Sequence, residues 1–266
     1  MAGLCKHAAG LGAGVVIVPL RPYISPGEMR RKGYVMRWVL VIAALVLSGC
    51  VSTTLTPQGA RTAAPINASP DDVAVARFES VVAQVEPVAE RLCRAELPGG
   101  NCDFLIQVDT RPNQPMNAFQ TLDRDGRPIL AFNLALIAGV RNADELAFVM
   151  SHEAAHHIAA HIPRQQDNAR AGAILLGGLA ALTGVGESGL ETAVDVGANV
   201  GARTYSKDFE LEADALGTVI AKRSGFDPVR GAEFFTQIPD PGNVFLGTHP
   251  PNAERIATVR RVAASL

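Results

Sequence analysis

Ten residues, His152-Glu153-Ala154-Ala155-His156-His157-Ile158-Ala159-Ala160-His161, hold four of the protein's six histidines and constrain the chain more than any other stretch. On a helix, His152 and His156 stand one turn apart on the same face, with Glu153 beside them. In this pattern two imidazoles hold zinc and the adjacent glutamate takes a proton from water on the metal. Such a five-residue run also arises by chance, so its surroundings matter. An apolar run of Leu146, Phe148, Val149 and Met150 leads into it. Asn142, with Glu145 three residues later, has the form of a capping box, and Asp144 adds to an acidic helix start. The spacing predicts a buried helix that continues through the histidine cluster, with Pro163 following its last turn.

A catalytic zinc needs three protein ligands and an open position. The metzincin spacing is excluded, because Ala159 and Ile162 stand where it requires glycine and histidine. On a continuous helix His157 points about 100° round from His156, and His161 lies roughly a turn and a half on. Both then fall behind the ligands or on the surface. A better third ligand lies in the helical stretch Thr204 to Arg223, where Glu210 and Asp214 share one face and Glu212 points away. Burying two carboxylates is costly unless they meet a cation or donors. Glu210 on the metal, with Asp214 accepting an N–H from a ligand histidine, satisfies both.

Upstream, a basic run from Met29 to Arg37 precedes the apolar run Trp38 to Leu47 and then Leu47-Ser48-Gly49-Cys50. Ten apolar residues suit a signal peptide and are too few to span a bilayer comfortably. The ending resembles a bacterial lipobox, which would make Cys50 the lipidated first residue of the mature protein. Residues 1–49 are therefore expected to be a signal peptide, whose true start is near Met29 or Met36. Residues 50–70, rich in Thr, Ser, Pro and Ala, read as a tether, and 71–266 as the folded domain. Val51 after the lipidated residue favours outer-membrane sorting if the source is Gram-negative. A formal net charge of -2 gives no reason to expect nucleic acid. Cys93 and Cys102 flank a turn-forming segment; either they are bridged, as an exported compartment permits, or they are two buried thiols.

Within the domain, Phe78, Val81, Val82, Val85, Val88 and Leu92 recur at helical spacing from a start near Ser69-Pro70-Asp71. Phe104 to Val108 reads as a strand. The runs 116–122 and 128–132, joined by a turn containing Asp125-Gly126, read as a hairpin. A free hairpin edge can bind extended peptide by strand addition, though an ordinary structural hairpin has the same pattern. A short helix is expected over Leu134 to Val140. The Gly- and Ala-rich residues 171–203 read as packed helices with close backbone approach, the sharper alternative being a mobile lid or membrane-dipping segment. Helices starting at Asp227-Pro228 and near Asn252 complete the chain.

The two chemistry-bearing helices resemble the zinc metallopeptidases of the prenyl-endopeptidase and HtpX type, peptidase family M48, particularly its periplasmic, BepA-like lipoprotein members. The shared signature is His152-Glu153-x-x-His156 with Glu210-x-x-x-Asp214 downstream. His161, Asn117-Ala118, His249-Pro250 and Arg255-Ile256 support it, so the resemblance covers most of the chain from about residue 75. It implies an α+β, mainly helical gluzincin-type domain with a small sheet or hairpin beside the active-site helix. It also implies one zinc per chain on His152, His156 and Glu210, Glu153 as general base, Asp214 behind a ligand, and peptide binding near Asn117 and Ala118. His249, then Tyr205, are the candidate oxyanion donors; His249 could instead close the site as a fourth ligand. Lys207 replaces a common arginine and the Asp123 to Arg127 turn replaces a Gly-Gly hairpin, so the family's substrate preference is not carried over.

The implied function is a membrane-anchored zinc endopeptidase on the periplasmic side of the cell envelope. Its expected substrates are misfolded or unassembled envelope polypeptides. The alternative is a zinc-binding periplasmic chaperone or assembly factor with little or no proteolysis.

Overall fold

The computed structural model describes residues 15–16, 70–204, 206–242, 244, 247 and 249–266. The basic and apolar runs over 29–47 expected to be a signal peptide, Cys50, residues 51–69 expected to be a tether, and Tyr205 lie outside the described residues. The fold is α+β and mainly helical, with one small sheet.

Helix α1 (Pro70–Glu96) buries the apolar stripe that its spacing defines, Phe78, Val81, Val82, Val85, Val88 and Leu92. Pro87 lies inside it without ending it. A disulfide between Cys93 and Cys102, with Cα atoms 5.7 Å apart, ties the end of α1 to the turn before β2 (Leu105–Asp109). Strand β2 runs parallel to β4 (Pro128–Asn133), from Leu105 opposite Ile129 to Asp109 opposite Asn133. Strand β3 (Ala118–Leu122) pairs antiparallel with the other side of β4, Phe119 opposite Ala131, and forms the sheet edge. In the connecting turn Asp123 Oδ1 accepts from the amides of Asp125 and Arg127, at 2.9 and 2.8 Å, while Gly126 adopts a φ of 80°. On the far side a two-residue strand, β1 (Val15–Val16), pairs in parallel with β2. No strand is expected there from the sequence.

Asn133 joins sheet to helix: its Oδ1 caps α2 (Leu134–Gly139) by accepting from Leu136 N at 2.9 Å and also accepts from Asn117 N at 3.1 Å. Helix α3 (Ala143–Ile158) is buried along most of its length, as its run of apolar residues on all faces demands. Asn142 caps it, accepting from Glu145 N at 3.0 Å. The fully buried Glu145 accepts from Arg141 N at 2.7 Å, one residue earlier than in a capping box.

The end of α3 differs from expectation. The helix stops at Ile158, and Ala160 turns the chain with a left-handed φ of 54°. A new helix, α4 (His161–Leu182), then starts at the last histidine of the cluster. Pro163 therefore stands in the first turn of α4, where its missing N–H costs nothing, and does not mark the end of α3.

Helices α4 and α5 (Glu187–Thr204) form a hairpin whose backbones touch. A side chain on Gly172 would collide with the carbonyl of Gly197, and one on Gly197 with that of Gly172. Its outer surface exposes Ile174, Leu175, Leu179 and Leu182. No helix among the described residues is long and apolar enough to cross a membrane. After the hairpin, α6 (Ser206–Arg223) returns to lie directly on α3: a Cβ on Gly217 would stand 3.0 Å from His152 N and 3.1 Å from its Cα. Helix α7 (Pro228–Gly231), capped by Asp227, runs into a 3-10 turn (Ala232–Thr236), and α8 (Asn252–Ala263) closes the chain against α6.

Candidate active site

Helices α3 and α6 meet at the C-terminal end of α3. His152 and His156 project from α3, Glu210 from α6, and one ligand atom of each lies within 4.8 Å of the others. The two Nε2 atoms are 3.0 Å apart; Glu210 Oε2 is 3.5 Å from His152 Nε2, and Oε1 is 3.4 Å from His156 Nε2. Ligand atoms about 2.0–2.2 Å from a tetrahedral ion stand roughly 3.3–3.5 Å apart, so the cluster is close to the spacing of a small cation.

Charge points the same way. Glu153 lines the same cleft of about 400 Å³. Together with Glu210 and Asp214 it faces a single buried guanidinium, that of Arg255. Three carboxylates against one arginine leave an excess that a divalent cation would balance. Burial pushes the Glu210 carboxyl up, but hydrogen bonds from His152, His156 and His249 outweigh it and hold the group well below 4.5. Burial and Arg255 push His152 down, yet Asp214 and Glu210 overcome both and raise it to about 9. The donor set therefore favours a positive charge at this point, proton or metal.

Asp214 Oδ1 lies 2.9 Å from His152 Nδ1, on the side of the ring away from the cluster. Its two oxygens each take a bond of 2.7 Å from Arg255, a buried two-point pair. Arg255 Nη2 is also 3.2 Å from Glu210 Oε2, and the guanidinium lies 4.0 Å over the Phe235 ring. This central place of Arg255 was not evident from spacing, since α8 carries no motif that points to the cluster. Only the family resemblance singled the residue out.

The other histidines divide. His249 lies at the mouth, its side chain 54% exposed, with Nδ1 3.2 Å from Glu210 Oε2. His157 faces away, its Nε2 2.7 Å from the Asn101 carbonyl oxygen and its ring edge-on to Phe104. His161 is neither remote nor at the surface. The reversal at Ala160 brings its Nδ1 to 2.8 Å from His156 Nδ1, with 4% of the residue exposed. Burial, with His156 alongside, pushes it down to about 4. Glu212 points away from the cluster but meets His161 Nε2 at 3.2 Å. Across the cleft, Ala118 begins the β3 edge and Asn117 directly precedes it, and both line the cleft.

A cation site next to a carboxylate can polarise a carbonyl and move a proton, the two requirements of peptide hydrolysis. With an open strand edge alongside, the domain is of the metallopeptidase class. The model for Peptidase family M48 matches residues 76–263, and the chain belongs to that family. The matched region is therefore a metallopeptidase domain.

Similar proteins are named beta-barrel assembly-enhancing protease. One from Escherichia coli O157:H7 is 32% identical over 174 residues, covering 57% of this chain and 33% of the relative. Those from Escherichia coli K12 and Yersinia pestis are 31% and 29% identical over the same shares of the two chains. The chain thus spans about a third of the length of these relatives, 33% in each case.

Proposed function

We propose that the chain is a zinc-dependent endopeptidase in which His152, His156 and Glu210 hold one zinc ion and Glu153 is the general base. The observation that carries this reading is the convergence of those three side chains from α3 and α6 within 4.8 Å. Zinc bound there supplies Lewis acidity and brings a coordinated water toward neutral pKa. Glu153, beside the first ligand and facing the cleft, accepts the proton of the attacking water and returns it to the leaving amine. Asp214, clamped by Arg255, takes the N–H of His152 Nδ1 and so leaves Nε2 free to bind metal. The β3 edge at Asn117 and Ala118 aligns the substrate backbone. His249 is the candidate donor to the carbonyl oxygen as it gains charge.

Glu153→Gln tests the mechanism: zinc should remain at one per chain while cleavage of an unfolded test polypeptide falls by about 10²–10⁴-fold. Undiminished cleavage would remove Glu153 from the reaction. If wild type and variant are equally inert yet bind the polypeptide equally, the assembly-factor reading replaces this one.

The same reading places the protein at the periplasmic face of the cell envelope, lipid-anchored at Cys50, with 1–49 as signal peptide, 50–70 as tether and 71–266 as the peptidase domain. Outer-membrane attachment follows if the source is Gram-negative. The name of the relatives supports misfolded or unassembled envelope proteins as substrates. Cleavage ahead of Cys50 would also remove Val15–Val16, exposing the outer edge of β2. Fatty-acid labelling should be lost in Cys50→Ser, and labelling that persists rules the anchor out.

A further inference from the structure

Two imidazoles in contact need a donor and an acceptor between them, and that requirement orders the protons behind the metal cluster. His156 turns Nε2 toward His152 and Glu210, so as a ligand through that atom it carries its proton on Nδ1. That Nδ1 lies 2.8 Å from His161 Nδ1, which must then present a lone pair and keep its own proton on Nε2. His161 Nε2 in turn lies 3.2 Å from Glu212 Oε2. The bonds therefore run one way, from His156 to His161 to Glu212, and end on a carboxylate held at 2.8 Å by Arg164. His161 is fixed by more than these bonds. Its ring stacks on Phe209 at 4.6 Å and 11°, and Arg164 lies 4.4 Å over the same phenyl ring.

We propose that His161 and Glu212 are positioning residues for the metal site. His161 sets the tautomer and ring orientation of His156, and Glu212 sets those of His161. The inference rests on His156 being a metal ligand. Each ligand imidazole is then backed by a carboxylate, directly by Asp214 for His152 and through a second imidazole for His156. Loss of such outer partners typically lowers metal affinity by about 10–100-fold.

The test is the zinc dissociation constant, measured by competition with a chromophoric chelator, beside the melting temperature of the metal-free protein, which reports packing alone. His161→Leu should weaken zinc by about 10–100-fold. His161→Asn, whose Oδ1 can accept from His156, should recover most of that loss while melting like the leucine variant. Glu212→Gln, at a side chain 46% exposed, should weaken zinc several-fold with the metal-free melting temperature unchanged. Wild-type affinity in His161→Leu or in Glu212→Gln overturns the proposal, as does an asparagine variant no better than leucine. His156→Ala separates the levels. If it loses zinc while His161→Leu keeps it, the relay alone is wrong; if it too binds like wild type, His156 is no ligand and the relay falls with it.

Discussion

Single side chains differ here in how far their neighbours explain them. Glu86 is half-buried on α1; burial, then the like charges of Glu90 and Asp103, raise its carboxyl to about 7 against a partial offset from Arg127. The folded state thus holds a proton that the unfolded chain releases near 4.5. Between those values stability falls as pH rises, and above about 7 the full penalty of the ionised group is present. Melting temperature should drop between about pH 5 and about pH 8, and Glu86→Gln should flatten that drop. An unchanged slope in the variant would mean other groups carry it. His161 and Arg255 were harder to place from sequence for a related reason. Their partners lie on other elements, so nothing in their local spacing encodes the contact.

At the scale of elements, helices α3 and α6 meet at Gly217, and this contact sets the distance between the histidines and Glu210. Gly217 lies on the same face as Glu210, Ala213 and Asp214, all of them buried. A branched side chain there would press on the His152 backbone and separate the helices. Overpacking of this kind costs about 1–3 kcal/mol. Gly217→Val should therefore lower the melting temperature by roughly 5 °C in a domain of this size and weaken zinc binding. Gly178→Ala, on the hairpin where an added Cβ meets nothing within 4 Å, should melt no lower than wild type. Equal melting of Gly217→Val and wild type would show that the helices tolerate separation. Strands β2 to β4, the hairpin turn and most helices were legible because periodicity and turn residues are local signals, whereas β1 was not. The break after Ile158 was not, because an alanine in the left-handed region leaves no trace in sequence, and Pro163 is equally at home just after one helix or just inside the next.

Over the whole molecule, the chemistry is split along the chain. Both imidazoles and Glu153 are present once α3 forms, but Glu210 arrives only after the α4–α5 hairpin, and Arg255 only with the last helix. The sequence makes the parts visible and leaves their meeting to the folding of everything between them. That order bears on timing. On the proposed ligand set, a chain stopped before α6 carries the histidine pair without its third ligand. On that set, hydrolysis therefore waits until α6 has packed against α3.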